Sequence, residues 1–204
     1  LAQRFADHKA KILPDLLYFI EVHCAAVVTV NGNDEAELCF ACDRILKYNT
    51  GKIMNLSVYH PFESNENAIH LPTAAKLKLL AQACPHLTEF RMECANFAEG
   101  VISDAVPAIV RACPQLLSLG LRSCDISDAA LQVVSQACPL LETLELSAPA
   151  GIPQLARCGS RINDVGIQAV ARHCARLEEL NVDECVNLTD VAFPAVAQGC
   201  PRLR

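Results

Sequence analysis

Across residues 113–138 the spacing of apolar positions changes once, and the change predicts a strand followed by a helix. Leu119 and Leu121 alternate with Ser118, Gly120 and Arg122, the period of two that gives a strand one apolar face. Beyond Ser127 and Asp128 the period lengthens, so that Leu131, Val134 and Cys138 share one helix face. Ser127 or Asp128 offers a capping oxygen, and the carboxylate suits the positive helix end. Pro139 disfavours helical dihedrals in the residue before it, so the helix is predicted to end at about Ala137–Cys138. The alternation recurs at Leu56/Val58, Phe90/Met92, Leu144/Leu146 and Leu180/Val182, with an earlier strand expected at Val28/Val30 and Asn33 beyond it. Counting back seven and four residues from six cysteines (24, 84, 113, 138, 174, 200) gives Leu17/Ile20, Leu77/Leu80, Val106/Ile109, Leu131/Val134, Ile167/Val170 and Phe193/Val196. Every pair is apolar, which predicts helices of one kind along the chain.

The strand and helix together form a repeat. CPQLLSLGLRSCDISDAALQVVSQAC at 113–138 returns as CARLEELNVDECVNLTDVAFPAVAQGC at 174–200. Leu116, Leu119, Leu121, Cys124 and Ile126 fill the pattern LxxLxLxx(N/C)xL. Leu177, Leu180, Val182, Cys185 and Leu188 fill it again, with one extra residue before the last. This spacing resembles a leucine-rich repeat, so the expected fold is an α/β solenoid in which each unit buries its apolar face against its neighbours. Successive strands lie about 28, 34, 29, 25 and 36 residues apart, so the repeats are irregular and the excess is expected in loops. Two segments stand out, Tyr59–Thr73 and Ser147–Ile162, whose Pro, Gly and Ser content argues against a continuous element. Each reads either as a recognition loop or as a tolerated insertion. The expected organisation is one domain over 1–204. Residues 1–83 form irregular N-terminal repeats or a cap, 84–199 the clear cysteine-containing repeats, and 200–204 the start of a further repeat. The chain is therefore expected to be a stretch of a longer array.

Composition narrows the function. The chain has 204 residues, 52% of them apolar, with no Trp, and so calls for a large aliphatic core. A net charge of −6 argues against nucleic acid or an anionic membrane as partner. No apolar run approaches the length of a membrane span; Leu16–Val22 is short and broken by Glu21. The 12 cysteines would suit a disulfide scaffold, but eight of them occupy repeat positions, including Cys124 and Cys185 at the N/C place, where a small weak donor fits between stacked turns. That placement predicts reduced thiols and a cytoplasmic or nuclear location. Cys39 and Cys42 lack a second pair at zinc-ligand spacing and read as two residues of one buried helix face. His23 and His173 each precede a cysteine, yet adjacent helical side chains diverge by about 100°, which opposes a Cys–His catalytic pair. No phosphate-binding loop, dinucleotide fingerprint or HExxH occurs. Neither an enzyme nor a cofactor is expected. The sequons Asn55–Ser57 and Asn187–Thr189 fall inside the repeat motif and are discounted as glycosylation sites.

The pattern CPxLxxLxLxxCxxIxD resembles the cysteine-containing leucine-rich repeats of F-box substrate receptors of ubiquitin ligases and of antagonist-of-mitotic-exit-like proteins. Cys113–Cys138 and Cys174–Cys200 carry the resemblance, which covers residues 84–204 well and the first 80 poorly. It implies a curved parallel sheet on the concave side, helices on the convex side, and a protein partner bound by the strands or an inserted loop. LPDLLYFI at 13–20 resembles the start of an F-box and Ala41–Leu46 its later helix, but the connection is too long and the family's Trp is missing. The same residues fit a first repeat. Two functions follow: the substrate-binding part of an F-box-type ligase receptor, partnered by adaptor and substrate, or a structural subunit packed against neighbours in a large assembly. Outward strand positions are free for recognition. They read Asn55, Ser57, Tyr59; Glu89, Arg91, Glu93; Ser118, Gly120, Arg122; Thr143, Glu145, Ser147; and Glu179, Asn181, Asp183 beside Glu184. The candidate partner-binding residues are Tyr59, Arg91, Glu93, Arg122, Glu145, Arg157, Arg161, Glu179, Asp183 and Glu184. Glu145, Glu179 and Asp183 are expected to form one acidic patch that accepts a basic partner segment, unless Arg157 and Arg161 fold back to neutralise it.

Overall fold

The computed structural model describes residues 27–31, 42–43, 45–47, 53–60, 71–94, 101–147 and 161–204. Six strands pair in parallel and in chain order: β1 (Val27–Asn31), β2 (Asn55–His60), β3 (Glu89–Cys94), β4 (Ser118–Arg122), β5 (Thr143–Glu145) and β6 (Glu179–Asn181). Among the described residues, one helix follows each strand from β2 onward: α1 (Leu71–Ala83), α2 (Val101–Ala112), α3 (Asp128–Ala137), α4 (Asp164–His173) and α5 (Phe193–Gly199). Each helix packs on the next, and the core fills the space between them and the sheet. Leu56, Val58, Phe90, Met92, Leu119, Leu121 and Leu144 are buried from the strand side, and Leu77, Leu80, Ile109, Leu131, Val134 and Val170 from the helix side. This is the solenoid expected from the alternating and helical periods.

The CPxL sequence is a local device for turning from helix to strand. In α3 and α4 the backbone N–H of the capping cysteine, Cys138 or Cys174, closes the last helical turn on Val134 or Val170. The cysteine carbonyl then accepts from the N–H three residues on: Leu87, Leu116, Leu141, Leu177 and Leu203 donate at 3.1–3.2 Å to Cys84, Cys113, Cys138, Cys174 and Cys200. Proline suits the second place of such a β-turn, and the leucine is delivered to the core. Its successor starts the sheet ladder. The carbonyl of Met54 receives Thr88 and Glu89, that of Thr88 receives Leu117 and Ser118, and that of Leu117 receives Glu142 and Thr143. Register is thus set one repeat at a time.

Stacking also runs through the thiols and the helix starts. Cys113, Cys138, Cys174 and Cys200 each direct Sγ at the carbonyl of the preceding repeat-start cysteine, over 3.6–3.8 Å. Cys124 and Cys185 reach back to the carbonyls of Met92 and Leu146 at 3.8 and 3.7 Å. Cys42, Cys84, Cys113, Cys124, Cys138, Cys174, Cys185 and Cys200 are free thiols and are buried. At the helix starts, Ser127 and Asn163 cap α3 and α4 by accepting from Ala130 N and Val165 N. The next residue reaches across: Asp128 accepts from Asn163 N, and Asp164 from both N and Oγ1 of Thr189. Those bonds hold Asp164 below the ordinary carboxylate value, the side-chain bond first and the backbone bond second.

Several expectations change. The Tyr59–Thr73 insertion is shorter at both ends, because β2 continues to His60 in register with Cys94 and α1 begins at Leu71. Pro72 is tolerated there because first-turn N–H groups have no helical partner. Phe193 is exposed rather than inward. Helix α5 starts at Phe193 itself, and Ala192, Val196 and Cys200 supply its buried stripe. Ser147 is buried rather than outward. Strand β5 stops at Glu145, the alternation stops with it, and the Ser147 carbonyl accepts from Ser123 N. The Leu17/Ile20 pair, Cys24, Asn33 and Cys39 lie outside the described residues, as do LPDLLYFI and the interior of the 147–162 segment. Cys42 is buried in a helical stretch.

Candidate functional site

Parallel register lays the outward strand positions out in rows. Asn55, Glu89, Ser118, Thr143 and Glu179 form one; Ser57, Arg91, Gly120, Glu145 and Asn181 form the next; Tyr59, Glu93 and Arg122 form a third. The alternation that buries Phe90 and Met92, or Leu119 and Leu121, turns Arg91 and Arg122 out to solvent. The described strands therefore present a polar face opposite the helices.

In the middle of this face the charges answer one another. Arg91 Nε pairs with Glu89, whose other oxygen accepts from Asn55 Nδ2 at 2.7 Å. Arg122 Nε lies 3.2 Å from Glu145 Oε1, and its Nη1 lies 3.8 Å from Glu93 Oε2. Exposed pairs of this kind contribute up to about 1 kcal/mol each, so their main effect is to fix where the groups point. Arg91, Glu93, Arg122 and Glu145 line a shallow depression of about 130 Å³ with Gly120 between them. A methyl group added at Gly120 would stand 3.3 Å from Cγ of Arg91 and 3.6 Å from Oε2 of Glu145. The missing side chain is what leaves the depression open.

Around β6 the charges are not answered. Glu179, Asp183 and Glu184 are exposed, and among the described residues no Lys or Arg pairs with them. Arg202 and Arg204 lie 3.7 and 3.4 Å from Glu178 instead. The turn that carries Asp183 and Glu184 is fixed: Asn181 Oδ1 accepts from Asp183 N at 3.0 Å, and Glu184 has a φ of 63°. Ser123, one residue before the cysteine in its own repeat as Glu184 is in its repeat, has a φ of 56°. This left-handed step turns Cys124 and Cys185 inward.

The structure regroups the candidate residues. Arg91, Glu93, Arg122 and Glu145 converge on the depression, whereas Glu179, Asp183 and Glu184 form a separate acidic stretch. Glu145 does not join that stretch, because Arg122 holds it. Arg161 does not neutralise the acidic stretch either; its Nη1 lies 3.0 Å from Asp125 Oδ2, beside the exit of β4. Tyr59 is opposite Glu93 in register, while its side chain and Arg157 lie outside the described residues. Two contributors were missed as site residues, Gly120 and Glu89. Gly120 had a legible signal, since the other strands carry Ser57, Arg91, Glu145 and Asn181 at that place.

Comparison with known proteins agrees with this architecture. A family model described as FBD-associated F-box protein At5g56370, LRR repeats, matches residues 57–203. Among solved structures, that of the Rad7 and Elc1 complex of yeast is similar over 98% of this chain and 54% of the other, with a TM-score of 0.59 and 15% identity. The chain thus spans about half the length of that neighbour, and the likeness is one of fold.

Proposed function

Because the chain belongs to the leucine-rich-repeat family of FBD-associated F-box proteins, we propose that it is the substrate-binding part of an F-box-type ubiquitin-ligase receptor. The coarser role, protein interaction, follows from the family and from a fold that presents an ordered polar sheet face. The observation that carries the finer reading is the asymmetry of that face. Its centre is internally paired, while Glu179, Asp183 and Glu184 at β6 have no cation partner among the described residues. Neighbouring like charges repel unless something offsets them, and a basic segment of a partner protein would do so. On this reading the partner lies along the strands from Arg91 to Glu184, with the 147–162 segment beside it, and the protein works in the reducing cytoplasm or nucleus. Substrate recognition calls for no catalytic group and no cofactor. On the same reading the 1–204 stretch acts as one recognition domain.

The test pairs Glu179→Lys with Asp183→Lys and compares them with Gln132→Lys on the exposed side of α3. Native-lysate precipitation with the full-length protein, quantified by mass spectrometry, should recover ligase adaptor subunits together with substrate. The double variant should lose substrate by about tenfold, roughly 1.4 kcal/mol, with adaptor recovery and melting temperature unchanged. A fixed multi-subunit assembly without adaptor would replace this reading with that of a structural subunit. Equal losses in the control would remove the acidic stretch from recognition.

A further inference from the structure

Four charged groups surround and cover Gly120, and their signs alternate. Arg91 and Glu93 stand on β3, Arg122 on β4 and Glu145 on β5, so a circuit of the depression reads plus, minus, plus, minus. The order is held in place. Arg122 bridges Glu93 and Glu145, and Arg91 is tied back to Glu89 through Nε. These pairings use Nε of Arg91, Nε and Nη1 of Arg122 and Oε1 of Glu145, so guanidinium N–H groups and Glu145 Oε2 remain for a ligand. A single charge placed among four alternating ones meets about as much repulsion as attraction. A group with an acceptor and a donor side by side is complemented at both ends. The side-chain amide of Asn or Gln is that group: its carbonyl accepts from an arginine while its N–H₂ donates to a carboxylate. The depression, of about 130 Å³, has room for a small polar head group.

We propose that the Gly120 depression is a specificity pocket for an Asn or Gln side chain of the partner segment that crosses this face. The proposal rests on the face being a docking surface for a basic segment, and it adds a neutral amide at one fixed place in that segment. Lysines or arginines of the same segment meet Glu179, Asp183 and Glu184. The amide selects and the basic residues attract.

The experiment is selection from a random-peptide library displayed on phage, with the chain immobilised and melting checked for each variant. Peptides retained by the wild type should be rich in Lys and Arg at one end and carry Asn or Gln at a constant offset from it. Replacing that amide with Ala in a selected synthetic peptide should weaken binding by about tenfold, as for a lost hydrogen bond to a charged group. Gly120→Leu fills the depression with backbone angles any residue adopts, and should abolish the amide preference while keeping the basic one. Arg91→Met leaves the ring net negative and should shift the preference at that place to Lys or Arg. Glu145→Gln leaves it net positive and should shift it to Asp or Glu. A wild-type preference for a charged residue at the pocket position overturns the proposal, and so does an amide preference that survives Gly120→Leu. Loss of the Lys/Arg preference alone, with the amide preference intact, overturns the basic-segment reading and leaves the pocket standing. A library yielding no peptide sensitive to Gly120, Glu179 or Asp183 overturns both.

Discussion

Raising the pH should destabilise this protein through its buried thiols. Burial pushes Cys113, Cys138 and Cys174 from an ordinary 9.0 up to about 12, neighbouring thiols of the stack adding to the effect. Cys185 rises to about 11 for the same first reason, with Asp183 adding to it. A group whose folded value is raised binds its proton more tightly when folded. Its contribution is complete below the unfolded value and is lost as pH rises toward the folded one. Between pH 7 and 9.5 an unfolded thiol of value 9.0 gains about 0.8 kcal/mol by ionising, and the folded thiol gains almost nothing. The four together therefore remove about 3 kcal/mol, an upper figure that water penetration would lower, and a large share of the 5–15 kcal/mol typical of a domain. Urea unfolding under reducing, metal-free conditions at pH 7, 8, 9 and 9.5 measures the loss. Cys138→Ala isolates one contribution: the variant is weaker at pH 7, yet it should lose about 0.8 kcal/mol less than wild type on going to pH 9.5. A variant with the wild-type pH slope would refute the assignment, as would a wild type whose stability does not fall over this range.

Four further outcomes follow from particular contacts. Native protein at pH 8 should resist iodoacetamide at Cys113, Cys138 and Cys174, at rates roughly a thousandfold below a free thiol, while denatured protein without reductant should titrate close to 12 thiols; four or more missing would contradict the reduced state. Gly166→Ala should destabilise by about 1 kcal/mol in urea, overpacking outweighing the gain in helix propensity, because the new methyl would lie 3.0 Å from Leu131 Cδ1 and closer still to Asp128 Oδ1. Glu184→Gly should stabilise by about 0.5 kcal/mol, since glycine relieves the left-handed φ at some entropic cost. The Asp164 carboxyl, followed by NMR, should titrate below an unfolded Asp; its contribution is present above the unfolded value and lost as pH falls through the folded one, and Thr189→Val should raise its value.

What could be read from the chain was whatever one repeat decides alone. The LxL alternation, the stripe of α3, its cap at Ser127 or Asp128 and its end before Pro139 each depend on residues within a few positions of one another, and each is found in the structure. Glu145 is separated from the expected acidic patch because the members come from different repeats. Glu145 is 23 residues from Arg122 and 34 from Glu179, and only strand register decides which it meets. Arg161 lies between β5 and β6 in the chain, which leaves open whether it reaches the patch, and in the structure it meets Asp125. Phe193 failed for a different reason. Its spacing from Cys200 matched the other repeats, but the turn before α5 makes it the first helical residue, where the inward position belongs to Ala192.

The same division between local and stacked determinants bears on how such a face evolves a preference. Packing fixes Leu119, Leu121, Leu144 and their equivalents, while each outward residue is free to change and answers only to its row neighbours. A pocket on the face is then a property of three adjacent repeats, here β3, β4 and β5, and one substitution in any of them alters it without touching the core. At the pocket the rows are internally balanced, so binding there should depend weakly on salt. At β6 the carboxylates act by Coulomb attraction and are screened over about 8–10 Å at physiological ionic strength. Attraction and selectivity therefore sit on different repeats and can be separated: salt should weaken binding through Glu179, Asp183 and Glu184 and leave the discrimination at Gly120 intact.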